Sequence, residues 1–210
     1  MGLFSSINNN FNRVKFYKPI LFCFVAILFF SCTKKKYKYP RIEIETKYGL
    51  IVAELYTDRA PKTCAAILSY VDSGFYQDAS FYRVLNVTNQ PSNAPKTEIL
   101  QGGLWKTNYL KLYEMKGIPH EPTSKTGLKH TDGVLSLARN KPGTANAEFF
   151  ICIGNQPGLD QGGENVEDKL GYAAFGKVIK GMSVVRKIYM LNDHEQMLTP
   201  PVAIYNITQK

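Results

Sequence analysis

From Arg41 onwards the apolar positions first recur every second residue. Ile42 and Ile44 alternate with Glu43 and Glu45, the period of a half-buried strand. Gly49 supplies a turn and Leu50–Tyr56 a second strand, so a hairpin is predicted. The period then changes. Asp58-Arg59-Ala60-Pro61 reads as a helix start, with Asp58 as the cap and Pro61 in the first turn. Cys64, Ile67, Leu68 and Val71 follow at i, i+3, i+4 and i+7, which makes one apolar face. Gly74 suits the left-handed residue that ends a helix. Short strands are predicted at Phe81–Leu85, Ile99–Gln101, Val134–Ala138, Phe149–Gly154 and Ala173–Ile179. A second helix is expected over Gly181–Leu191, with Met182, Val185, Ile188 and Tyr189 inward. Pro200-Pro201 ends the next connection and Val202–Thr208 forms the last strand. About eight strands with two helices point to a mainly β fold, a closed antiparallel barrel, because closure removes exposed edges. Residues 86–97 and 104–130 are long connections, a kind that often carries function in a compact domain.

Ahead of Arg41 the pattern is different. Residues 1–18 are polar and carry Arg13, Lys15 and Lys18 with no acid, and residues 20–30 are an unbroken apolar run. That run is short for a membrane span, which needs ~20 apolar residues, but it fits the core of a secretory signal. Ser31-Cys32 closes it, and a small residue directly before Cys resembles the lipobox of bacterial lipoproteins. The resemblance implies cleavage before Cys32 and lipidation on it. The expected organisation is a signal peptide over 1–32, a charged linker over 33–40 and one domain over 41–210. Thr33 rather than Asp follows Cys32, which by the same resemblance leans towards the outer membrane, on the periplasmic side of the cell envelope.

Charge and cysteine content change this picture little. The net charge is +9, but three of the 26 basic residues precede the apolar run, leaving 23 against 17 acidic. The one dense run, Lys34, Lys35, Lys36 and Lys38, reads as a solvated stem beside the membrane. No nucleic-acid module accompanies the positive charge, so nucleic acid is not an expected partner. Cys64 and Cys152 remain in the domain and are expected as buried free thiols. His120, His130 and His194 are widely spaced, so neither a metal nor another cofactor is expected. There is no Ser-centred elbow, phosphate-binding loop or Cys-x-x-Cys pair.

A series of short segments carries more information. It runs Ala60-Pro61-Lys62-Thr63, Gly74-Phe75-Tyr76, Phe81-Tyr82-Arg83-Val84 and Gln101-Gly102-Gly103. It continues with Gly133-Val134-Leu135-Ser136-Leu137-Ala138-Arg139, Ala147-Glu148-Phe149-Phe150-Ile151, Leu159-Asp160 and Ala174-Phe175-Gly176-Lys177-Val178. Gly181-Met182-Ser183-Val184-Val185 closes it. In this order and spacing the chain resembles the cyclophilin family of peptidyl-prolyl cis-trans isomerases over roughly residues 41–208. The resemblance implies an eight-stranded barrel capped by two helices. It also implies site roles: Arg83 as the catalytic cation with Gln101 beside it, and Phe150 as the floor of a proline pocket. Leu159 and Ile99 fall in that pocket, Tyr172 at its rim, and Ala138 and Arg139 on the edge that binds substrate backbone.

The sequence departs from the family pattern in five places. The link after Arg83 is the longer Asn86–Thr97, and Glu98-Ile99-Leu100 precedes Gln101 where an aromatic is usual. Gly158 stands before Leu159 in place of Trp or Phe. Gln161–Leu170 is long, and Glu148 replaces a common Gln, which could alter a polar contact near Arg83.

The implied chemistry needs no nucleophile, metal or general base. Amide resonance sets a rotation barrier of ~18–20 kcal/mol, and proline brings cis and trans close in energy. A catalyst has only to bind the twisted amide better than either planar form. A fixed guanidinium can do so by donating to the prolyl nitrogen, whose lone pair localises only on twisting. The expectation is therefore an isomerase, a monomer acting on Xaa-Pro segments of unfolded or flexible exported chains. The alternative is a proline-peptide binding module or holdase without catalysis, which Glu98 and Gly158 favour.

Overall fold

The computed structural model describes Met1, Gly2 and residues 37–210. The predicted signal segment, Cys32 and the first part of the linker lie outside the described residues.

The expected hairpin is β1 (Arg41–Thr46) with β2 (Gly49–Leu55), and Thr46 braces its turn by accepting from the Tyr48 N–H at 3.1 Å. The other barrel strands are β3 (Ser80–Leu85), β4 (Ile99–Gly103), β5 (Val134–Leu137), β6 (Phe149–Cys152), β7 (Ala173–Lys180) and β9 (Met197–Gln209). A two-residue strand, β8 (Asp193–His194), pairs with β9 outside the barrel. The order around the barrel is β1-β2-β7-β5-β6-β4-β3-β9, all antiparallel, and β9 returns to β1 to close it. Inside are the fully buried Ile44, Ile51, Leu55, Phe81, Leu100, Leu135, Leu137, Ile151 and Phe175.

Two helices cover the core as the period predicted. α1 (Pro61–Asp72) buries Cys64, Ile67 and Val71, and α4 (Met182–Tyr189) buries Val185, Ile188 and Tyr189. Gly74 ends α1 at φ +66°, and the Phe75 N–H reaches back to the Tyr70 carbonyl at 2.8 Å. The 104–130 connection adds α2 (Tyr109–Tyr113) and α3 (Thr123–Thr126), too short for a period to reveal. Among the described residues no helix is long and apolar enough to cross a membrane.

Two local expectations change. Asp58 does not cap α1; it accepts from the Tyr39 hydroxyl at 3.1 Å. The cap is Glu121, distant in sequence and only 2% exposed. Its carboxylate accepts from the Lys62 and Thr63 N–H groups and the Thr63 hydroxyl, at 3.3, 2.8 and 2.8 Å. A negative charge there also meets the positive end of the helix dipole. The last strand starts at Met197, not Val202, and takes Pro200-Pro201 into an irregular stretch between its two registers with β3. Linker residues Tyr37 and Tyr39 pack onto the domain. The Arg41 guanidinium lies 3.6 Å over the Tyr37 ring, and Tyr39 packs edge-on to Tyr56 at 5.1 Å.

Candidate active site

Three strands set the site by register. Arg83 of β3 pairs with Gln101 of β4, and Gln101 pairs with Phe150 of β6. The three side chains therefore stand in a row. Arg83 joins the row only because β3 is irregular between Phe81 and Arg83. Phe81 and Val84 are both fully buried, so the in–out alternation slips by one between them. The slip moves Arg83 off the core side and aims it beside Gln101, a use to which bulges near active sites are often put.

A polar relay then fixes the guanidinium. The Leu104 and Trp105 N–H groups donate to Glu148 at 2.6 and 3.1 Å, and the Tyr82 hydroxyl donates to its other oxygen at 2.6 Å. Gln101 donates its amide N–H to the Tyr82 oxygen at 2.7 Å, so its carbonyl accepts from Arg83 at 3.2 Å. Burial pushes the Glu148 carboxyl above its ordinary range, against the hydrogen bonds that favour its anion. Burial first, then the neighbouring Glu148, pushes the Tyr82 phenol well up, so it stays protonated and donating. Glu148 thus reaches Arg83 only through Tyr82 and Gln101.

The floor is Phe150, 2% exposed. Tyr172 stands edge-on above it at 5.3 Å, and His130 stacks near-parallel at 6.1 Å. His130 is held between the Asp160 carboxylate at 2.8 Å and the Ser136 hydroxyl at 2.9 Å. This Ser-His-Asp grouping braces the floor rather than presenting a nucleophile, because Ser136 is wholly buried. Burial pushes the His130 imidazole below its ordinary value, although Asp160 pulls the other way.

All eight predicted groove residues, Arg83, Gln101, Ile99, Ala138, Arg139, Phe150, Leu159 and Tyr172, line one groove of about 460 Å³. Arg139 contributes differently from its neighbours. Its guanidinium is tied to the Gly171 carbonyl and, through two bonds of 2.7 and 2.9 Å, to Asp168. That pairing holds the Asp168 carboxyl down to about 2. The Ala138 N–H is likewise taken, by the Glu148 carbonyl at 2.9 Å.

The departures from the family pattern fall into place. Glu98 accepts from the Tyr189 hydroxyl of α4 at 2.8 Å and does not line the groove. The space an aromatic at Gly158 would claim is filled by Asn165, whose carbonyl oxygen stands where a Cβ would fall. Asn165 also bonds to Thr97, so the two long segments 86–97 and 161–170 are joined and together make one wall. Cys64 and Cys152 are buried free thiols. Burial pushes the Cys64 thiol up to about 12 and Cys152 further, so neither is reactive near neutral pH. Sequence reading missed Tyr82, Asn165 and Gln196. Tyr82 stands beside Arg83 in the segment Phe81-Tyr82-Arg83-Val84 and Asn165 lies in the long Gln161–Leu170, whereas nothing marked Gln196.

Fold and groove together define the class: a closed antiparallel barrel with an aromatic-floored, peptide-sized groove and a braced guanidinium at its side. The chain belongs to the cyclophilin-type peptidyl-prolyl cis-trans isomerases: the family model described as cyclophilin type peptidyl-prolyl cis-trans isomerase/CLD matches residues 41–209. It is 33% identical over 175 residues to a peptidyl-prolyl cis-trans isomerase of Acinetobacter baylyi, covering 80% of this chain and 85% of that one. Against isomerase B of Escherichia coli the identity is 33% over 148 residues, covering 70% and 82%. A solved cyclophilin-type isomerase of Cryptosporidium parvum shares the fold, with a TM-score of 0.63 at 23% identity over 82% of this chain and 98% of that one. The same protein crystallised in the presence of the dipeptide Ala-Pro gives 0.61 at 24% identity, over 81% and 98%.

Proposed function

We propose that this cyclophilin-type isomerase turns the bond before proline in exported polypeptides, from a lipid anchor on Cys32 at the periplasmic side of the envelope. Phe150, Leu159 and Ile99 receive the proline ring while the preceding carbonyl rotates. Arg83 is the catalytic cation, and it donates to the prolyl nitrogen as the twist localises the lone pair. Gln101 accepts from Arg83 and holds it on the groove side. Tyr172 shapes the rim, and the chain near Ala138 and Arg139 meets substrate backbone. The observation that carries this reading is the single cross-strand row of Arg83, Gln101 and Phe150 inside one groove. The signal segment and the Lys-rich linker support export and anchorage.

The test is two-dimensional NMR exchange on an Xaa-Pro peptide with the full chain in detergent micelles. The parent protein should accelerate cis-trans exchange, and Arg83→Ala should cut the acceleration by roughly a hundredfold. Peptide binding without acceleration would instead establish the non-catalytic binding module.

A further inference from the structure

Arg83 is held by a second residue that no site pattern marked. Glu195 and Gln196 form the two-residue turn between β8 and β9, at φ +50° and +72°. Both lie in the left-handed region, where Asn-Gly is the ordinary choice and a larger residue is strained. Despite that strain, Gln196 is tied at four points. Its N–H donates to Asp193 at 2.9 Å, and its carbonyl accepts from the Val84 N–H at 2.8 Å, next to Arg83. Its side-chain N–H donates to the Asn89 carbonyl at 3.1 Å, which orients the amide. Its side-chain oxygen then accepts twice from Arg83, from Nε at 3.1 Å and Nη2 at 2.6 Å. Gln101 holds Nη1 from the other side.

We infer that Gln196 is a positioning residue, whose strained turn is kept so that a neutral amide oxygen can lock the Arg83 guanidinium in the groove. This rests on Arg83 being the catalytic cation. The chemistry explains the residue type. A carboxylate in the same place would hold the fork equally well but neutralise the charge that the prolyl nitrogen needs. An amide oxygen fixes direction and leaves the positive charge intact. A residue kept at an unfavourable φ whose side chain is spent on the groove's guanidinium points to a functional constraint.

The strain also supplies a clean test. Gln196→Gly removes the amide and at the same time relaxes the turn, so it should not unfold the protein. In the full chain the thermal midpoint should be unchanged or raised. The dissociation constant of an Xaa-Pro peptide should stay within about twofold, while the exchange rate of bound peptide falls roughly tenfold. The double variant Gln196→Gly/Arg83→Ala should be no slower than Arg83→Ala alone, because both changes act through one guanidinium. Parental exchange in Gln196→Gly, alongside a slow Arg83→Ala, would overturn the positioning role. So would losses that multiply in the double variant. An Arg83→Ala variant as fast as the parent would overturn the cation itself, and Gln196's role with it.

Discussion

Arg83 is aimed by the two amide oxygens it touches, and one of these is itself oriented by groups Arg83 never touches. A carboxylate can only accept, so Glu148 obliges Tyr82 to donate to it. Tyr82 then accepts from Gln101, and Gln101 has its carbonyl left for Arg83. A Gln at position 148 would offer one acceptor where three donors converge, so Glu suits this chain, in which the Leu104 and Trp105 N–H groups share the same oxygen. His130 gives the residue scale a pH signature. Its folded-state value lies below the ordinary 6.5 because burial outweighs Asp160. Well above 6.5 both folded and unfolded forms are neutral. As the pH falls through 6.5, the unfolded imidazole binds a proton that the folded one resists, so stability falls. The thermal midpoint of the parent should therefore drop more between about pH 7.5 and 5.5 than that of His130→Gln. Equal drops would show that His130 does not titrate with folding.

Among the elements, α1 depends on a cap from another part of the chain. Glu121 belongs to the long 104–130 connection, yet it satisfies the first N–H groups of α1. Removing it leaves buried donors without a partner, so Glu121→Ala should cost about 1–3 kcal/mol in urea unfolding. Peptide exchange by the protein that remains folded should be unchanged, because the cap lies outside the groove lining. An unaltered urea midpoint would mean that water replaces the carboxylate. The joined 86–97 and 161–170 segments work on the same principle. Neither has a helix or strand of its own; Asn165 and Thr97 tie one to the other, while Asp168 is tied to Arg139 and the Asn89 carbonyl to Gln196.

At the scale of the whole domain, barrel closure brings its first and last strands together. β1 and β9 pair from Ile42↔Gln209 onward, which places the start of the domain beside the C-terminus. The proposed anchor is a property of the entire chain and is tested on it. In a bacterial host the full chain should partition into the detergent phase and take up labelled fatty acid, whereas Cys32→Ser should lose the label. Labelling that persists in Cys32→Ser would place the lipid elsewhere, and membrane retention without label in the parent would indicate an uncleaved apolar anchor.

Periodicity alone revealed most of the strands and both long helices, because a side chain's burial repeats with the local geometry of its own element. The ordered segments were enough to bring Arg83, Gln101, Phe150 and Leu159 forward together. What the sequence could not carry was set by partners distant along the chain. The bulge that turns Arg83 outward depends on pairing with β4 and β9. The cap on α1 comes from Glu121, Asn165 fills the place beside Gly158, and Gln196 reaches Arg83 across 113 positions. Local pattern records which face of an element is buried. Which polar group meets which across the barrel is decided only when the sheet closes, since those contacts have no period to read.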